Sequence, residues 1–166
     1  MTQPASVPAD GNQAVWWVPV LAVTQSPTVA ELTAPSVIDV SCYLTAEGWT
    51  PNTDEQIVTD ARLCSTATYE QPGRLQHTLE ISYVHNPDSP ADNAAYLALT
   101  RLTTGYFVVR IGVPYDQAVA AGDIVDVWPA KMGWRRKNPG VANGVLTVSQ
   151  KPFVTGPAVQ DAVVVA

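Results

Sequence analysis

The chain is poor in charged residues. Asp, Glu, Lys and Arg together make up 14% of its 166 residues, whereas about 25% is usual in soluble domains. Apolar residues make up 46%, and the aromatic residues include five Trp and six Tyr. Because interface cores are depleted in charge and enriched in aromatic side chains, this composition favours a surface that partners cover. An ordinary β-protein with a neutral, hydroxyl-rich surface is the alternative.

Positive charge is missing from the first third of the chain. No Lys or Arg precedes Arg62, while seven acidic residues do, and the whole chain carries a net charge of −6. Proteins that grip nucleic acid place basic patches against its phosphates. We therefore do not expect tight DNA binding, since an acidic surface would repel DNA.

Long apolar runs and cysteine-rich motifs are also missing. The longest apolar run, Ala14 to Val23, contains Pro19 and has about ten residues, too few to span a bilayer of ~30 Å. No positive residue precedes it, as a signal peptide would require, so we expect no membrane and synthesis in a cytosol. Cys42 and Cys64 lack metal-site spacing, and we expect them to be free, buried thiols.

Motifs for catalysis or metal binding are not recognisable either. The sequence contains no P-loop and no GxSxG pattern. His77 and His85 are expected on one strand, roughly 26 Å apart, too far to share a metal ion unless the chain bends. Asp123 and Asp126 are separated by an odd number of positions, which points them to opposite faces of a strand. We expect no enzymatic activity, no metal and no cofactor.

The pattern predicts one domain with terminal arms. Residues 1–14 have no periodicity and predict a flexible arm, residues 15–157 a single β-domain, and residues 158–166 a last strand or arm. A helical turn is expected at residues 26–32, and one helix from Ser89-Pro90 to a stop at Gly105. About eight strands without alternating helices predict a mainly β fold, an antiparallel sandwich or barrel with one flanking α-helix. The strands are expected at 15–23, 37–44, 63–69, 73–84, 106–113, 124–131, 145–154 and 158–166.

The clearest strand pattern lies in residues 73–84. Apolar side chains from Leu75 to Tyr83 alternate with polar ones, which is the signature of a half-buried antiparallel strand. Its polar face should meet water. That face consists of Arg74, Gln76, Thr78, Glu80 and Ser82.

The polar residues 45–63 predict a long loop. Loops of this length are uncommon in compact domains and are usually functional or disordered. We expect a contact loop in which Trp49 anchors a partner and Asp54 and Glu55 also make contacts. A loop folded back on its own domain is an equal alternative.

The only basic cluster comprises Trp134, Arg135, Arg136 and Lys137, with Lys131 nearby. The pattern predicts a basic tip or loop at residues 132–139. Three interpretations are open: a solvated hairpin tip that helps solubility, contact with phosphate, or pairing with an acidic neighbour. Because the first part of the chain is so acidic, we favour pairing between the basic tip of one copy and the acidic loop of another. Such pairs would set register more than strength.

Several segments, taken in their order along the chain, resemble the major tail tube protein of siphophages that infect actinobacteria. Siphophages are phages with long, non-contractile tails. The resemblance spans residues 15–160, and residues 1–14 and 134–137 depart from it. The matching segments are Trp16–Pro19, Ser26–Leu32, Val40–Cys42, Thr45–Gly48, Leu63–Ser65, the strand after Gly73, Gly105–Pro114, Ala121–Pro129 and Pro152–Thr155.

The resemblance implies a structural virion protein with a β-sandwich and a flanking helix. Six copies would form a ring whose inner strands join into a ring-spanning barrel, and stacked rings would form the conduit for genome ejection. Closure would also pair exposed strand edges, which otherwise invite aggregation. The loop at 45–63 and both arms would reach adjacent rings, and the polar face of residues 74–82 would line the lumen.

The resemblance also implies partners. They are sister copies, a tape-measure protein and double-stranded DNA in the lumen without sequence-specific binding, and tail terminator and baseplate proteins at the tube ends. The location would be the virion tail, after assembly in the host cytoplasm. Two alternatives remain at this point: a monomeric binding module for carbohydrate or adhesion, which five Trp would suit, and a capsid-decoration or tail-completion protein.

Overall fold

Antiparallel strands form one curled sheet in the computed structural model, which describes residues 5–166. The strand order is β2-β1-β5-β6-β7-β4-β3, and β8 pairs with the first part of β6. The predicted mainly β, antiparallel fold is confirmed. The strands are β1 (Gln13–Val18), β2 (Ile38–Asp39), β3 (Leu44–Asp60), β4 (Tyr69–Val84), β5 (Thr104–Ile111), β6 (Ile124–Lys137), β7 (Thr147–Val154) and β8 (Val159–Val163), and the helices are α1 (Val29–Leu32), a 3-10 helix (Pro90–Asp92) and α2 (Ala94–Ala98).

Strands β1 and β5 are buried on both faces and separate two hydrophobic clusters. Odd-numbered residues such as Trp17 and Phe107 enter the first cluster, which β4 and α2 complete from the other side. Even-numbered residues such as Trp16 and Val108 enter the second, which α1 and β8 cover. Fully burying one large apolar side chain stabilises a fold by about 1.5–3 kcal/mol, so these two strands anchor the domain.

The helices are shorter than the sequence predicts. Pro90 does begin a helical segment, but α2 ends at Ala98, and Leu102 adopts a left-handed φ of 71° in the turn that follows. Gly105, expected to stop the helix, lies instead in β5, where an added Cβ would sit 2.6 Å from the indole of Trp17. The apolar spacing that predicted a helix to residue 105 therefore belongs partly to a turn and a strand.

The predicted turn at residues 26–32 exists as α1, with Thr28 as its N-cap. The Thr28 hydroxyl accepts a hydrogen bond from the Glu31 N–H at 3.1 Å, and the Glu31 carboxylate accepts one from the Thr28 N–H at 2.9 Å. The Ala22 N–H also donates to this carboxylate, at 2.7 Å. This bond and the one from the Thr28 N–H in the capping box stabilise the charged form of Glu31 and lower its pKa.

The expected loop at residues 45–63 is wrong, because most of it is strand β3. It pairs with β4 from Trp49–Ile81 to Asp60–Tyr69, with irregularities between Leu44 and Trp49 and between Glu55 and Ile57. The backbone ladder needs no apolar side chain, so a strand exposed on both faces leaves no periodic signal. The strand expected at 63–69 is mostly the connection between β3 and β4.

The expected basic tip at residues 132–139 is also wrong up to residue 137. Strand β6 continues through Lys137, and residues 135–137 pair with residues 148–150 of β7. The connection between β6 and β7 comprises residues 138–146. The bulge between Met132 and Arg135 interrupts the alternation that would have marked a long strand.

The two predicted terminal segments have different structures. Of the predicted arm, residues 1–4 lie outside the described part, and residues 5–11 are exposed and in no strand. The predicted bound at residue 14 is wrong, because Gln13 and Ala14 belong to β1 and Ala14 is fully buried. The C-terminal segment takes the strand alternative, because β8 pairs with β6. The first strand ends at Val18, before Pro19, and has a strand on each side, so it is not an edge. The strand expected at 37–44 is reduced to β2.

Both cysteines are exposed, so the expectation of buried thiols is wrong. Cys42 lies in the turn between β2 and β3, and Cys64 lies in the connection at the far end of the β3–β4 hairpin. Neither position faces one of the two clusters that bury apolar side chains.

Candidate assembly surface

Strands β6, β7, β4 and β3 form a four-stranded part of the sheet with one polar face, here called the polar face. On β4, Leu79, Ile81 and Tyr83 are buried, as the alternation predicts. The side chains between them point away from the core. The predicted set Arg74, Gln76, Thr78, Glu80 and Ser82 lies there, each residue exposed or half-buried.

Neighbouring strands add further side chains to this face. Ser82 pairs with Ser149, and Ser149 pairs with Arg136, so these three lie side by side. Lys151 follows on β7 by the same alternation. The sequence predicts the strand β7 but not its contribution to the polar face, although Val148, Gln150 and Pro152 are buried between exposed or half-buried neighbours. That period of two could have identified them.

The polar face carries charges of both signs. A groove of about 360 Å³ crosses it from β3 to β6. Glu80 lies in this groove together with Lys151 and Arg136. The mixture provides hydration without a continuous basic stripe of the kind that grips phosphates.

The two borders of this four-stranded sheet are open. Among residues 5–166, strand β3 pairs with β4 only, at Leu44 and then from Trp49 to Asp60. Strand β6 pairs with β5 as far as Lys131, and Met132 exchanges backbone hydrogen bonds with Leu102 and Thr103 just before β5. Within residues 5–166, residues 133–137 of β6 have only β7 as a neighbouring strand. Unpaired backbone N–H and C=O groups on both borders are templates for another strand.

The hairpin of β3 and β4 extends beyond the core. Strand β4 pairs with β7 over residues 81–84 only, and a cleft of about 740 Å³ opens where the two diverge. Leu75 lies past this point and is 57% exposed although it shares its face with Leu79. The far end of the hairpin also exposes Ile57, Val58, Leu63 and Tyr69.

Trp49 lies against its own core rather than at an exposed tip. Its ring meets Phe107 edge-on at 5.4 Å and Trp128 at 6.4 Å between centroids. Of the two alternatives that the sequence left open for Trp49, the structure has the second, a segment folded back on its own domain. Asp54 and Glu55 are exposed and pair with Gln76 and Leu75, so they point to opposite faces of β3.

The predicted basic residues divide into engaged and free side chains. The Arg135 guanidinium stacks 4.0 Å from the centroid of the Tyr96 ring and donates a hydrogen bond to the Tyr96 carbonyl. Arg136 and Lys137 are exposed. Trp134 is 75% exposed, with the Arg101 guanidinium 5.9 Å from the centre of its ring.

The histidines serve as packing groups. Nδ1 of His77 lies 2.9 Å from the hydroxyl of Thr53, and its ring meets Trp128 edge-on. His85 packs against Tyr96. Burial lowers the pKa of His85, and the nearby Lys137 and Arg135 lower it further. Within residues 5–166, no group of His, Cys, Asp and Glu has the arrangement of a metal site, and no helix is long and apolar enough to cross a membrane.

A curled sheet of this kind also occurs in phage tail structures. The SPP1 tail tube, a hybrid solid-state NMR and cryo-EM structure, is similar with a TM-score of 0.58 and 13% identity, over 92% of this chain and 78% of that one. The six-fold symmetrised baseplate of the anti-feeding prophage is similar with a TM-score of 0.56 and 11% identity, over 96% and 98%. The TM-scores show a shared fold, and at such low sequence identity they show the fold alone. Among curated proteins, no sequence matches the chain.

The fold therefore belongs to the class of curled antiparallel sheets that these tail tube and baseplate structures share. The chain belongs to the phage tail tube protein family, whose sequence model matches residues 1–166. The resemblance drawn from the short segments is confirmed. Self-assembly into a tube and a place in the virion tail follow from this membership.

Proposed function

We propose that six copies of this chain form a ring, that rings stack, and that the resulting tube conducts the phage genome. The observation that carries the proposal is the open-bordered sheet of β6, β7, β4 and β3. An exposed strand border is a liability in a soluble monomer, and closure into a barrel removes it.

Strand directions support closure between copies. Each strand in the order β6-β7-β4-β3 is antiparallel to its neighbour, so β3 and β6 run in opposite directions. When β3 of one copy lies beside β6 of the next, the junction is antiparallel as well. The pattern can repeat around a ring without a break, and the six-fold symmetry of the similar baseplate structure favours six copies.

We assign the polar face to the lumen, with Arg74, Gln76, Thr78, Glu80 and Ser82 at its centre. Its mixed charges and hydroxyl groups, in a chain with a net charge of −6, suit passage of double-stranded DNA without sequence-specific binding. A tape-measure protein would occupy the same lumen before ejection, and terminator and baseplate proteins would close the tube ends.

The projecting hairpin suits contact between successive rings. Its far end exposes apolar side chains, including Leu63 and Tyr69, that no part of its own domain covers. Asp54 and Glu55 lie on its near half, and residues 5–11 are a second exposed segment within reach of neighbours. This role is structural, with no catalytic step, and assembly would take place in the host cytoplasm.

Self-assembly of the purified chain tests this proposal. We expect sedimentation velocity to show concentration-dependent growth, and negative-stain microscopy to show hollow tubes with a regular axial repeat. A chain that remains monomeric at every concentration would contradict the proposal and favour a monomeric binding module. Single rings or trimers without stacking would favour a decoration or completion protein.

A further inference from the structure

The two open borders of the four-stranded sheet carry opposite charge. Strand β3 contains four carboxylates and neither Lys nor Arg. The open part of β6, residues 134–137, contains three cations and no acidic residue. The carboxylates are Glu47, Asp54, Glu55 and Asp60, and the cations are Arg135, Arg136 and Lys137.

Several of these charges have no ionic partner inside their own copy. Asp60 pairs with Arg62 at 3.0 Å, and Arg135 is held by Tyr96. The only other ion pair among residues 5–166 is in the core. Exposed charges therefore remain on both borders: Glu47, Asp54 and Glu55 on β3, and Arg136 and Lys137 on β6.

These charges lie on both faces of the sheet at each border. Asp54 pairs with Gln76 and shares the polar face with it, as Arg136 does through its pair Ser149. Glu55 pairs with Leu75 and Lys137 with Val148, so both point to the opposite face. A junction between the borders can then bring unlike charges together on each face, where side chains of adjacent strands lie about 5 Å apart.

We propose that β3 of one copy pairs with β6 of the next, and that the opposite charges of these borders fix the direction of the contact. Two β3 borders would bring carboxylates together, and two β6 borders would bring cations together. Such like-charge contacts disfavour the two-fold dimers that identical edges otherwise form. The remaining contact is head-to-tail, which closes into a ring. This inference rests on the proposed function and adds the partner surface and its polarity.

Two charge-reversed variants test the pairing. The β6-reversed variant carries Arg136→Glu and Lys137→Glu, and the β3-reversed variant carries Glu47→Lys, Asp54→Lys and Glu55→Lys. All five positions are exposed, so both variants should fold, which circular dichroism checks. Alone, each variant has like charges at every junction, and we expect assembly to need about tenfold more protein than the wild type or to fail.

Mixing the two variants should restore assembly. In an alternating ring each reversed border meets a complementary one, and such a ring closes only with an even number of copies. The control for the β6-reversed variant carries Arg74→Glu and Lys151→Glu, which make the same change in charge on the two interior strands, and it should assemble like the wild type. At about 1 M NaCl, where charges are screened beyond ~3 Å, each reversed variant should regain assembly alone, which a misfolded chain would not.

The outcomes distinguish failure of the border pairing from failure of the proposed function. Reversed variants that assemble alone like the wild type, or a folded mixture that does not assemble, would overturn the border pairing while wild-type tubes still support the proposed function. A wild-type chain that never assembles would overturn both. Loss of assembly in the control variant would show that overall charge, rather than border charge, governs the contact, and would also overturn the pairing.

Discussion

The guanidinium of Arg110 lies 2.8 Å from the carboxylate of Asp123, with the Arg110 side chain fully buried. The same guanidinium donates hydrogen bonds to the carbonyls of Gln117 and Pro114, and it lies 5.3 Å from the centre of the Trp16 ring. One buried cation therefore holds the connection between β5 and β6 against the sheet.

Replacing Arg110 by Met should destabilise the domain by about 3–5 kcal/mol, because it leaves a carboxylate and several carbonyls without their donor. Urea unfolding followed by tryptophan fluorescence measures the difference. The matched control is Arg101→Met, at an exposed position. A loss of less than about 1 kcal/mol for Arg110→Met would show that the connection is held by other contacts.

The pH dependence of stability should depend in part on Asp123. Burial raises the pKa of Asp123, but hydrogen bonds from Arg110 and the Ala120 N–H outweigh it and lower the pKa below the ordinary value of 3.8. A lowered folded-state pKa contributes stability that is present above the unfolded value and is lost as the pH falls through the folded one.

Asp123→Asn should therefore flatten the stability profile below about pH 5, where the unfolded carboxyl begins to take up protons. Unfolding midpoints in urea between pH 6 and pH 3 test this, with the exposed Asp116→Asn as control. An unchanged slope in Asp123→Asn would show that other carboxylates account for acid sensitivity.

Replacing Trp49 should lower the stability of the domain, whereas replacing Trp134 should leave it nearly unchanged. Trp49→Ala removes ring contacts with Phe107 and Trp128 and should cost about 2–4 kcal/mol of unfolding free energy, since truncating a fully buried Trp costs somewhat more. Trp134→Ala, at an exposed ring, should change stability by less than about 0.5 kcal/mol. Thermal unfolding of the two variants measures both changes in stability. Equal effects would mean that Trp49 is not part of the core.

Gly48 occupies a position in β3 where no side chain fits. An added Cβ would lie 2.1 Å from the Ser82 carbonyl oxygen, so Gly48→Ala must displace one strand of the hairpin. We expect a loss of about 1–3 kcal/mol. At Gly140 the nearest atom would lie at 3.8 Å, and Gly140→Ala should be neutral. A neutral Gly48→Ala would indicate that the hairpin base adapts freely.

Sequence periodicity was sufficient where one face of a strand meets the core. The alternation around Leu79 and Ile81 predicts the burial of β4 correctly, and the consecutive apolar residues 106–109 are typical of a strand buried on both faces, as β5 is at Phe107, Val108 and Val109. In both cases the pattern of apolar and polar side chains follows directly from which faces of the strand are buried.

Periodicity failed where the backbone alone specifies structure. From Thr50 to Gln56, strand β3 has no apolar side chain apart from Pro51 and is exposed on both faces, so nothing in this part distinguishes it from a loop. The position of Trp49 against the core could therefore not be predicted. Residues 134–137 were misassigned because a bulge shifts the alternation. The basic residues were identified, but that Arg135 is held by Tyr96 depends on a contact between positions 39 residues apart, which no local pattern reports.

Cryo-EM of tubes assembled from the wild-type chain tests the central claim most directly. The account predicts that the β4 side chains Gln76 and Thr78 point towards the tube axis, and that β3 of each copy forms a backbone ladder with β6 of its neighbour. A map in which this face lies on the outside of the tube, or in which the β3 border remains unpaired, would contradict it.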